Sequence, residues 1–287
     1  MVVHCEIFKV LRDGRLSTST IYQNAPLVEL IVELRWHVDV SSPLGGPQFV
    51  THTSASFDQW FNRFSSKLES QGYVNLERLV PHDFPALAYQ PIYRYKRKHE
   101  AAFPLIQFGH GIFTMNAGPP NYIDWEGFRP EVESGIKALV SSIPETGGIN
   151  ILNSASVRYI DAFGEELRNG KSSYRFMREE LKASVELPVK VLELAAKLDE
   201  ITPTIALRFP VKDRPGHQLF LQIADGRLNN TPATVMEMNY LVHDAIPLVA
   251  SEILGILDNS RNTLHDTFEA MIDSIRDRLR PKFREEK

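Results

Sequence analysis

Three histidine–aspartate dipeptides are the residues of this chain that most directly suggest chemistry. They are His82-Asp83, His243-Asp244 and His265-Asp266. Imidazole and carboxylate ligands on converging helices would hold a metal ion for phosphohydrolase chemistry. His82 and His243 fall instead in predicted loops or strand ends, and the HExxH zinc motif is absent from the sequence. We therefore expect no bound metal and no cofactor.

The glycine-rich segment from Phe108 to Phe128 raises the question of a phosphate-binding loop. A dinucleotide fingerprint would need a third glycine at Thr114, and the Gly-Lys-Ser/Thr of a P-loop does not occur in the sequence. Apolar runs on both sides of Gly109-His110-Gly111 favour a β-hairpin, because glycine supplies the positive φ that such turns require. His110 at the tip is predicted to be a solvated turn residue.

Two arginines, Arg35 and Arg158, lie in segments whose alternating pattern predicts strands. The alternation places each arginine away from the apolar face of its own strand. In equivalent places on one sheet, the two guanidinium groups would bind a carboxylate or a phosphate. The alternative is that a neighbouring acid, Glu33 or Asp161, neutralises each arginine, so that each only braces the sheet.

The last predicted helix has the most regular pattern in the chain. Its apolar side chains follow three- and four-residue steps: Leu257, Leu264, Phe268, Met271, Ile275 and Leu279. A second stripe is polar, with His265 beside it: Asn262, Asp266, Glu269 and Asp273. This polar stripe is either a solvated face or a surface that faces a cleft or a partner.

Hydrophobic periodicity predicts the elements that position these residues. The predicted helices are an amphipathic one from Phe57 that ends at Gly72, one at Trp125–Ile143 capped by Asp124, helical sequence from Tyr174 to Leu198, and the last helix. The predicted strands are Pro26–Val38, Glu77–Val80, Ala88–Lys96, the hairpin, Ala155–Phe163, and three within TIALRFPV, HQLFLQIADG and ATVMEMNYLV.

This order predicts an α+β fold built from two similar halves, each a strand, a helix, three strands and a helix, with antiparallel sheets. Arg35-Trp36 and Arg158-Tyr159 open the two halves alike, which favours an internal duplication. We expect an N-terminal arm at residues 1–23, a first half at 24–148 and a second half at 149–287 that ends in the long helix.

The amino-acid composition limits the classes of function that this protein can have. The 287 residues carry 32 Lys+Arg against 36 Asp+Glu, a formal charge of −4 that implies no nucleic-acid partner. The single cysteine, Cys5, excludes an internal disulfide and a cysteine-rich zinc site. Charged residues interrupt every apolar run before it reaches signal-peptide or membrane-span length, so we expect a cytoplasmic protein without a membrane segment.

Four segments resemble a sporadically distributed, uncharacterised bacterial protein family of similar length: PLVE…ELRW, NAGPPNYIDWEGF, SVRYID and LDNSRNTLHDTFE. The resemblance covers roughly Asn24 to Leu279. The late motif of the family has Leu-Asp, two histidines four residues apart, and Phe-Glu. This chain keeps Leu257, Asp258, His265, Phe268 and Glu269, but Arg261 replaces the first histidine. That departure argues against a two-histidine metal site.

The resemblance implies no known activity, and the distribution of the family is similar to that of mobile defence and toxin–antitoxin modules. We expect a cofactor-free protein that binds a protein partner. The alternatives are a metal-independent hydrolase or nuclease-like effector with a cleft between the halves, and a small-ligand sensor with an apolar pocket. The candidate binding residues are Arg35, Asn116, Tyr122, Trp125, Arg158, Asp161, His265 and Glu269.

Overall fold

The computed structural model describes residues 20–41, 49–50, 55–98, 102–145, 149–195 and 197–282. Most of the predicted N-terminal arm, including Cys5, lies outside the described residues. The strands are β1 (Ile21–Tyr22), β2 (Leu27–Arg35), β3 (Val40–Ser41), β4 (Phe49–Val50), β5 (Asn75–Arg78), β6 (Pro91–Lys96), β7 (Leu105–Gly109), β8 (Ile112–Ala117), β9 (Ile151–Phe163), β10 (Thr204–Pro210), β11 (His217–Leu228), β12 (Thr231–Pro247) and β13 (Pro281–Lys282).

Three helices are long: α1 (Ala55–Ser70), α2 (Trp125–Ser142) and α6 (Ala250–Ile272). Four are short: α3 (Glu165–Arg168), α4 (Ser173–Arg175), α5 (Val189–Leu192) and α7 (Arg276–Leu279). A π-helical turn spans Phe176–Glu180, and 3₁₀ turns span Leu198–Glu200 and Asp273–Ile275. No helix among the described residues is long and apolar enough to cross a membrane.

Nine strands form one antiparallel sheet in the order β10-β11-β12-β9-β2-β8-β7-β6-β5. Its centre is the β2–β9 pair, in which Val32 faces Val157. Leu30, Val32 and Leu34 are fully buried on one face, as their alternation with charged residues predicts. Helices α1, α2 and α6 pack on that same face, so the hydrophobic core lies between the helix layer and the sheet.

The α+β class and the long C-terminal helix are confirmed. Residues 24–148 contribute β2 and β5–β8, and residues 149–287 contribute β9–β12, so both parts share one sheet. In each part the first strand pairs with the last, β2 with β8 and β9 with β12. That the two halves arose by duplication, and that they are separate domains, stays a prediction.

The β7–β8 hairpin is confirmed, with a positive φ of 79° at Gly111. The prediction that His110 is solvated is wrong. Its side chain is only 5% exposed and stacks on Phe57 of α1 with ring centroids 3.8 Å apart. Because α1 covers the hairpin tip, burial lowers the pKa of His110 to about 4.

The helix predicted from Tyr174 to Leu198 is wrong. The segment contains α4, the π-helical turn, α5 and the second 3₁₀ turn, separated by irregular chain. Lys182 has a positive φ of 55°, which ends the helical conformation there. Pro188 prevents a helix from continuing through the preceding residues.

Candidate functional site

A cavity of about 260 Å³ lies between the sheet and helix α6. Strands β9 and β12 form its floor, and α6 covers it. The segment from Thr20 to Leu27 forms one wall, and the turn from Pro119 to Asp124 forms another. Residues from both predicted halves therefore meet at this cavity.

The alternation of β9 and the periodicity of α6 direct side chains into the cavity. Tyr159 and Asp161 are two residues apart on β9, so both point toward the helix layer. Arg261, His265 and Phe268 follow steps of four and three residues along α6, which places them on one side of the helix.

Asp161 is the most unusual group in the cavity. It is 3% exposed, and its Oδ2 atom has no hydrogen-bond partner. Burial raises the pKa of Asp161 to about 7, and no basic side chain offsets this effect. A buried carboxyl without a partner is rare in folded proteins, because burying a charge without compensation is costly.

Arg261 contributes a buried positive charge to the same cavity. It is 6% exposed, and its Nη1 atom donates to Asn262 Oδ1 at 3.3 Å. The guanidinium also lies beside the Tyr159 hydroxyl, where it favours the ionised phenol. The Oδ2 atom of Asp161, which lines the same cavity, does not bond to Arg261.

Two phenol groups line the cavity next to Arg261. The hydroxyls of Tyr122 and Tyr159 are 3.2 Å apart and share a hydrogen bond. Burial raises the pKa of both tyrosines, and Arg261 partly offsets this increase. Both phenols are therefore protonated at neutral pH, and the pair can present a hydroxyl donor to a bound molecule.

His265 sits at the side of the cavity near Glu269, with 4.0 Å between Nε2 and Oε1. Burial and then the positive charge of Arg261 lower the pKa of His265, although Glu269 opposes them. The imidazole is consequently neutral at pH 7 and offers one donor and one acceptor.

The wall formed by the N-terminal segment is anchored to the C-terminal part of the chain. The hydroxyl of Tyr22 donates to the Glu269 carboxylate at 2.8 Å, and Arg276 pairs with the same carboxylate. The two-residue strands β1 and β13 also pair. Glu269, a predicted binding residue, thus lies beside the cavity and holds its wall.

Trp125 is buried next to the cavity rather than in it. Its indole Nε1 donates to Asp258 Oδ1 at 2.8 Å, and Arg129 donates to both oxygens of that carboxylate at 3.0 Å. Asp258 therefore fastens the start of α2 to α6. The Asp124 side chain caps α2 by accepting from the Gly127 amide, as predicted.

Three predicted binding residues lie on the opposite face of the sheet: Arg35, Asn116 and Arg158. Arg35 pairs with Glu33 at 2.7 Å, and Arg158 lies 3.5 Å from Glu237. Asn116 donates to Glu29 at 2.7 Å. The acid that neutralises Arg158 is therefore not Asp161, because residues three apart on a strand point to opposite faces.

The two arginines do not form a joint anion site. Arg35 pairs across the strands with Ser154, four residues from Arg158 on β9, so their Cα atoms are about 13 Å apart along the strands. Each guanidinium already has its own glutamate. The hydrolase alternative would use Arg35, Arg158, Asp161, His265 and Glu269 in one cleft. The structure divides them, with Asp161, His265 and Glu269 at the cavity and both arginines on the other face.

Tyr22 and Arg261 belong to the site, although no sequence pattern predicted it. In the sequence, Arg261 was considered only as the residue that replaces a histidine of a motif. Its spacing from His265 and Phe268 is nevertheless that of residues on one helix face. Asn262, Asp266 and Asp273 are exposed, so that part of the polar stripe is solvated.

The three His-Asp dipeptides do not converge, and His82 and His243 are exposed. Among the described residues, no group of three or more His, Cys, Asp and Glu side chains could hold a metal ion. Comparisons of the chain with protein-family models, with curated proteins and with solved structures find no match. The resemblance to the bacterial family stays a prediction based on four sequence segments.

Proposed function

We propose that this protein binds a small molecule in the cavity beneath α6. The observation that carries the proposal is Asp161, a buried carboxyl that lines the cavity and whose Oδ2 atom has no hydrogen-bond partner. An unpaired buried ionisable group reduces stability, and such groups concentrate at binding and catalytic sites. A ligand that donates a hydrogen bond to Asp161 would compensate the burial of its carboxyl.

The size and walls of the cavity support a compact ligand with an apolar part. Its volume of about 260 Å³ is slightly below the range of about 300–1,000 Å³ that holds drug-sized molecules. Met238, Leu264 and Phe268 provide apolar walls, and the polar groups are concentrated around Asp161, Arg261 and the two tyrosine hydroxyls. This combination is typical of small-ligand sites.

Binding is better supported than hydrolysis. A hydrolase that used both arginines with Asp161 would need these groups to converge on one substrate, and they lie on opposite faces of the sheet. Asp161 alone could exchange a proton with a ligand, but a binding role requires only the contacts that the cavity already offers.

Native mass spectrometry of protein purified from its own cells tests the proposal. The expected spectrum shows a bound small molecule on the wild type. Ala25→Trp should lose it, because Ala25 lines the cavity at an exposed position and an indole there would obstruct the cavity. Val74→Trp, at a position 63% exposed and remote from the cavity, is the control and should retain it. A wild-type protein with no bound molecule would contradict the proposal.

A protein partner is the second candidate, and the edge strand β10 favours it. β10 ends the sheet, and its Leu207 and Phe209 are each 43% exposed. The segment before it exposes further large apolar side chains: Val185, Leu187, Val189, Val191, Leu194 and Leu198. An unpaired strand edge with apolar neighbours is a surface on which a partner can add a strand.

Charged substitutions on β10 test this candidate, because edge lysines block strand addition. A protein that copurifies stoichiometrically with the wild type should be lost from a Leu207→Lys, Phe209→Lys double variant. Val74→Lys, which also adds a lysine at an exposed apolar position, should retain it. Equal recovery from all three proteins would exclude β10 as the binding surface.

A further inference from the structure

An ionisable acid and an ionisable base, Asp161 and Arg261, are buried at the cavity without pairing with each other. Asp161 is 3% exposed and Arg261 is 6% exposed. Both line the same cavity, yet they form no ion pair within 4.0 Å. Buried charges in folded proteins are normally paired, because removal from water is costly for each of them.

We infer that the ligand is a zwitterion of the α-amino-acid type, whose ammonium group binds Asp161 and whose carboxylate binds Arg261. The inference rests on the proposed function, since it assigns the chemistry of a ligand in the same cavity. A neutral ligand would offer an ionic partner to neither Asp161 nor Arg261, and an ion of either sign would offer one to only one of them. Only a ligand with both charges compensates both residues.

The surroundings of each charge fit these roles. Arg261 lies beside the Tyr159 hydroxyl, and a guanidinium with a phenol donor is suited to a carboxylate. The Tyr122 hydroxyl shares a hydrogen bond with that of Tyr159 and holds it in place. Asp161 has a free Oδ2 atom that can accept from an ammonium group.

The other titratable groups at the cavity already have contacts. Asp124 caps α2 through the Gly127 amide. The Glu269 carboxylate is bound by Tyr22 and Arg276, and His265 lies 4.0 Å from it. Asp161 is thus the carboxyl at this cavity that remains available to an ammonium group.

The spacing favours a compact zwitterion over an extended one. Tyr159 and Asp161 occupy alternate positions of β9, so their Cα atoms are about 7 Å apart. A ligand that reaches both Asp161 and the Arg261–Tyr159 pair therefore carries its two charges a few bonds apart. Leu264, Phe268 and Met238 leave room for an apolar or aromatic side chain.

Calorimetric titration with matched compounds tests the inference. The probes are L-leucine and L-phenylalanine, with 3-methylbutylamine and phenethylamine as analogues without the carboxylate. The analogues 4-methylpentanoate and 3-phenylpropanoate lack the ammonium group. At least one amino acid should bind the wild type ten or more times more tightly than both of its analogues.

Variants assign each charge to its residue. Asp161→Asn should weaken the amino acid at least tenfold and leave the acid analogue unchanged, and Arg261→Gln should weaken the amino acid and leave the amine unchanged. Tyr159→Phe removes only the hydroxyl and keeps the ring. It therefore tests binding of the ligand carboxylate even if Arg261→Gln does not fold. It should weaken the amino acid and the acid analogue but not the amine.

The inference is overturned if neither amino acid binds, if an analogue binds as tightly, or if Asp161→Asn and Tyr159→Phe weaken all probes equally. These failures are separable from failure of the proposed function. A retained small molecule without an ammonium or carboxylate group would keep the cavity as a ligand site and reject the zwitterion. Absence of any retained molecule would reject the binding function itself.

Discussion

Burial of the Asp161 carboxyl destabilises the folded protein when the group is ionised. No described neighbour offsets this loss of hydration. The carboxyl is protonated more readily in the folded state, where its pKa is about 7, than in the unfolded chain, where it is near 3.8. A difference of about three pKa units corresponds to roughly 4 kcal/mol at pH above 7. The cavity beside this residue explains why such a group is tolerated, since a ligand can offset the cost.

Asp161→Asn should therefore stabilise the ligand-free protein at neutral and alkaline pH. The folded pKa of Asp161 is raised. The contribution of Asp161 to the free energy of unfolding is therefore most favourable below about pH 4 and is lost as the pH rises through 7. The amide does not ionise, so the difference in free energy of unfolding should grow from near zero at pH 4 to roughly 4 kcal/mol above pH 7. Denaturant unfolding across this pH range measures it, with exposed Asp266→Asn as the control. Parallel curves for wild type and Asp161→Asn would contradict the prediction.

Glu180 shows the opposite behaviour because it has partners. Burial alone would raise its pKa, but hydrogen bonds from Lys171, Arg278 and Ser274 lower the pKa of Glu180 to about 2. Arg278 lies 2.9 Å and Ser274 3.0 Å from its carboxylate oxygens. These bonds tie the π-helical turn to the residues that follow α6.

Glu180→Gln should destabilise the protein by about 1–3 kcal/mol at pH 7. With a lowered folded pKa, the contribution of Glu180 is present above about pH 4.5 and disappears as the pH falls through 2. Wild type and variant should converge over that range in thermal unfolding. Neighbouring Glu179→Gln, whose side chain is 45% exposed, should change stability much less. Equal effects of the two variants would contradict the assignment.

At the scale of single residues, the sequence identified Asp161 and His265 as candidates but did not place them together. Alternation along β9 predicts which face each residue occupies, so the separation of Arg158 from Asp161 could have been inferred. The burial of His110 could not, because it depends on how α1 packs over a distant hairpin. The role of Arg261 likewise depends on which side of α6 meets the sheet.

At the scale of elements, α6 organises the site. One side of the helix carries Asp258, Arg261, His265 and Phe268. Asp258 binds Trp125 of α2, and the other three residues line the cavity. Leu257, Asp258, His265, Phe268 and Glu269 all lie on α6. Asp258 holds α2 through its bonds to Trp125 and Arg129.

Asp258→Ala should destabilise the protein by about 1–3 kcal/mol, because it leaves the indole N–H of Trp125 buried without an acceptor. Trp125 is only 4% exposed, so its indole N–H depends on this carboxylate for its hydrogen bond. Urea unfolding followed by tryptophan fluorescence measures the change. Glu133→Ala removes another, similarly exposed partner of Arg129 but not the acceptor of the Trp125 indole, and it is the control. The prediction fails if the control is destabilised as strongly.

The regular elements were predictable because their periodicity is local. Strands β2, β9, β11 and β12 and helices α1, α2 and α6 all coincide with predicted segments. The region from Tyr174 to Leu198 was not, because helix-forming residues there are interrupted by Pro188 and by a left-handed Lys182. Its conformation depends on tertiary contacts, such as the Glu180 network, that sequence periodicity does not contain.

At the scale of the whole molecule, one sheet carries a helix layer on one face, and Arg35, Asn116 and Arg158 lie on the other among apolar and polar neighbours. The two arginines of the sequence-based anion hypothesis lie on that second face, where each is paired with a glutamate. The cavity lies on the helix side, where both parts of the chain contribute walls. This division explains why residues that are close in the sheet do not act at one site.

Carbon-13 NMR titration of the Asp161 side-chain carboxyl tests most directly whether the cavity is a ligand site built around an unpaired acid. The resonance is assigned by its absence from Asp161→Asn. In protein stripped of small molecules we expect a midpoint near pH 7, and addition of the small-molecule fraction from the native cells should move the midpoint well below that value. A midpoint near the ordinary aspartate value of about 3.9 in the stripped protein would contradict the proposal, since the carboxylate would then be hydrated or already paired.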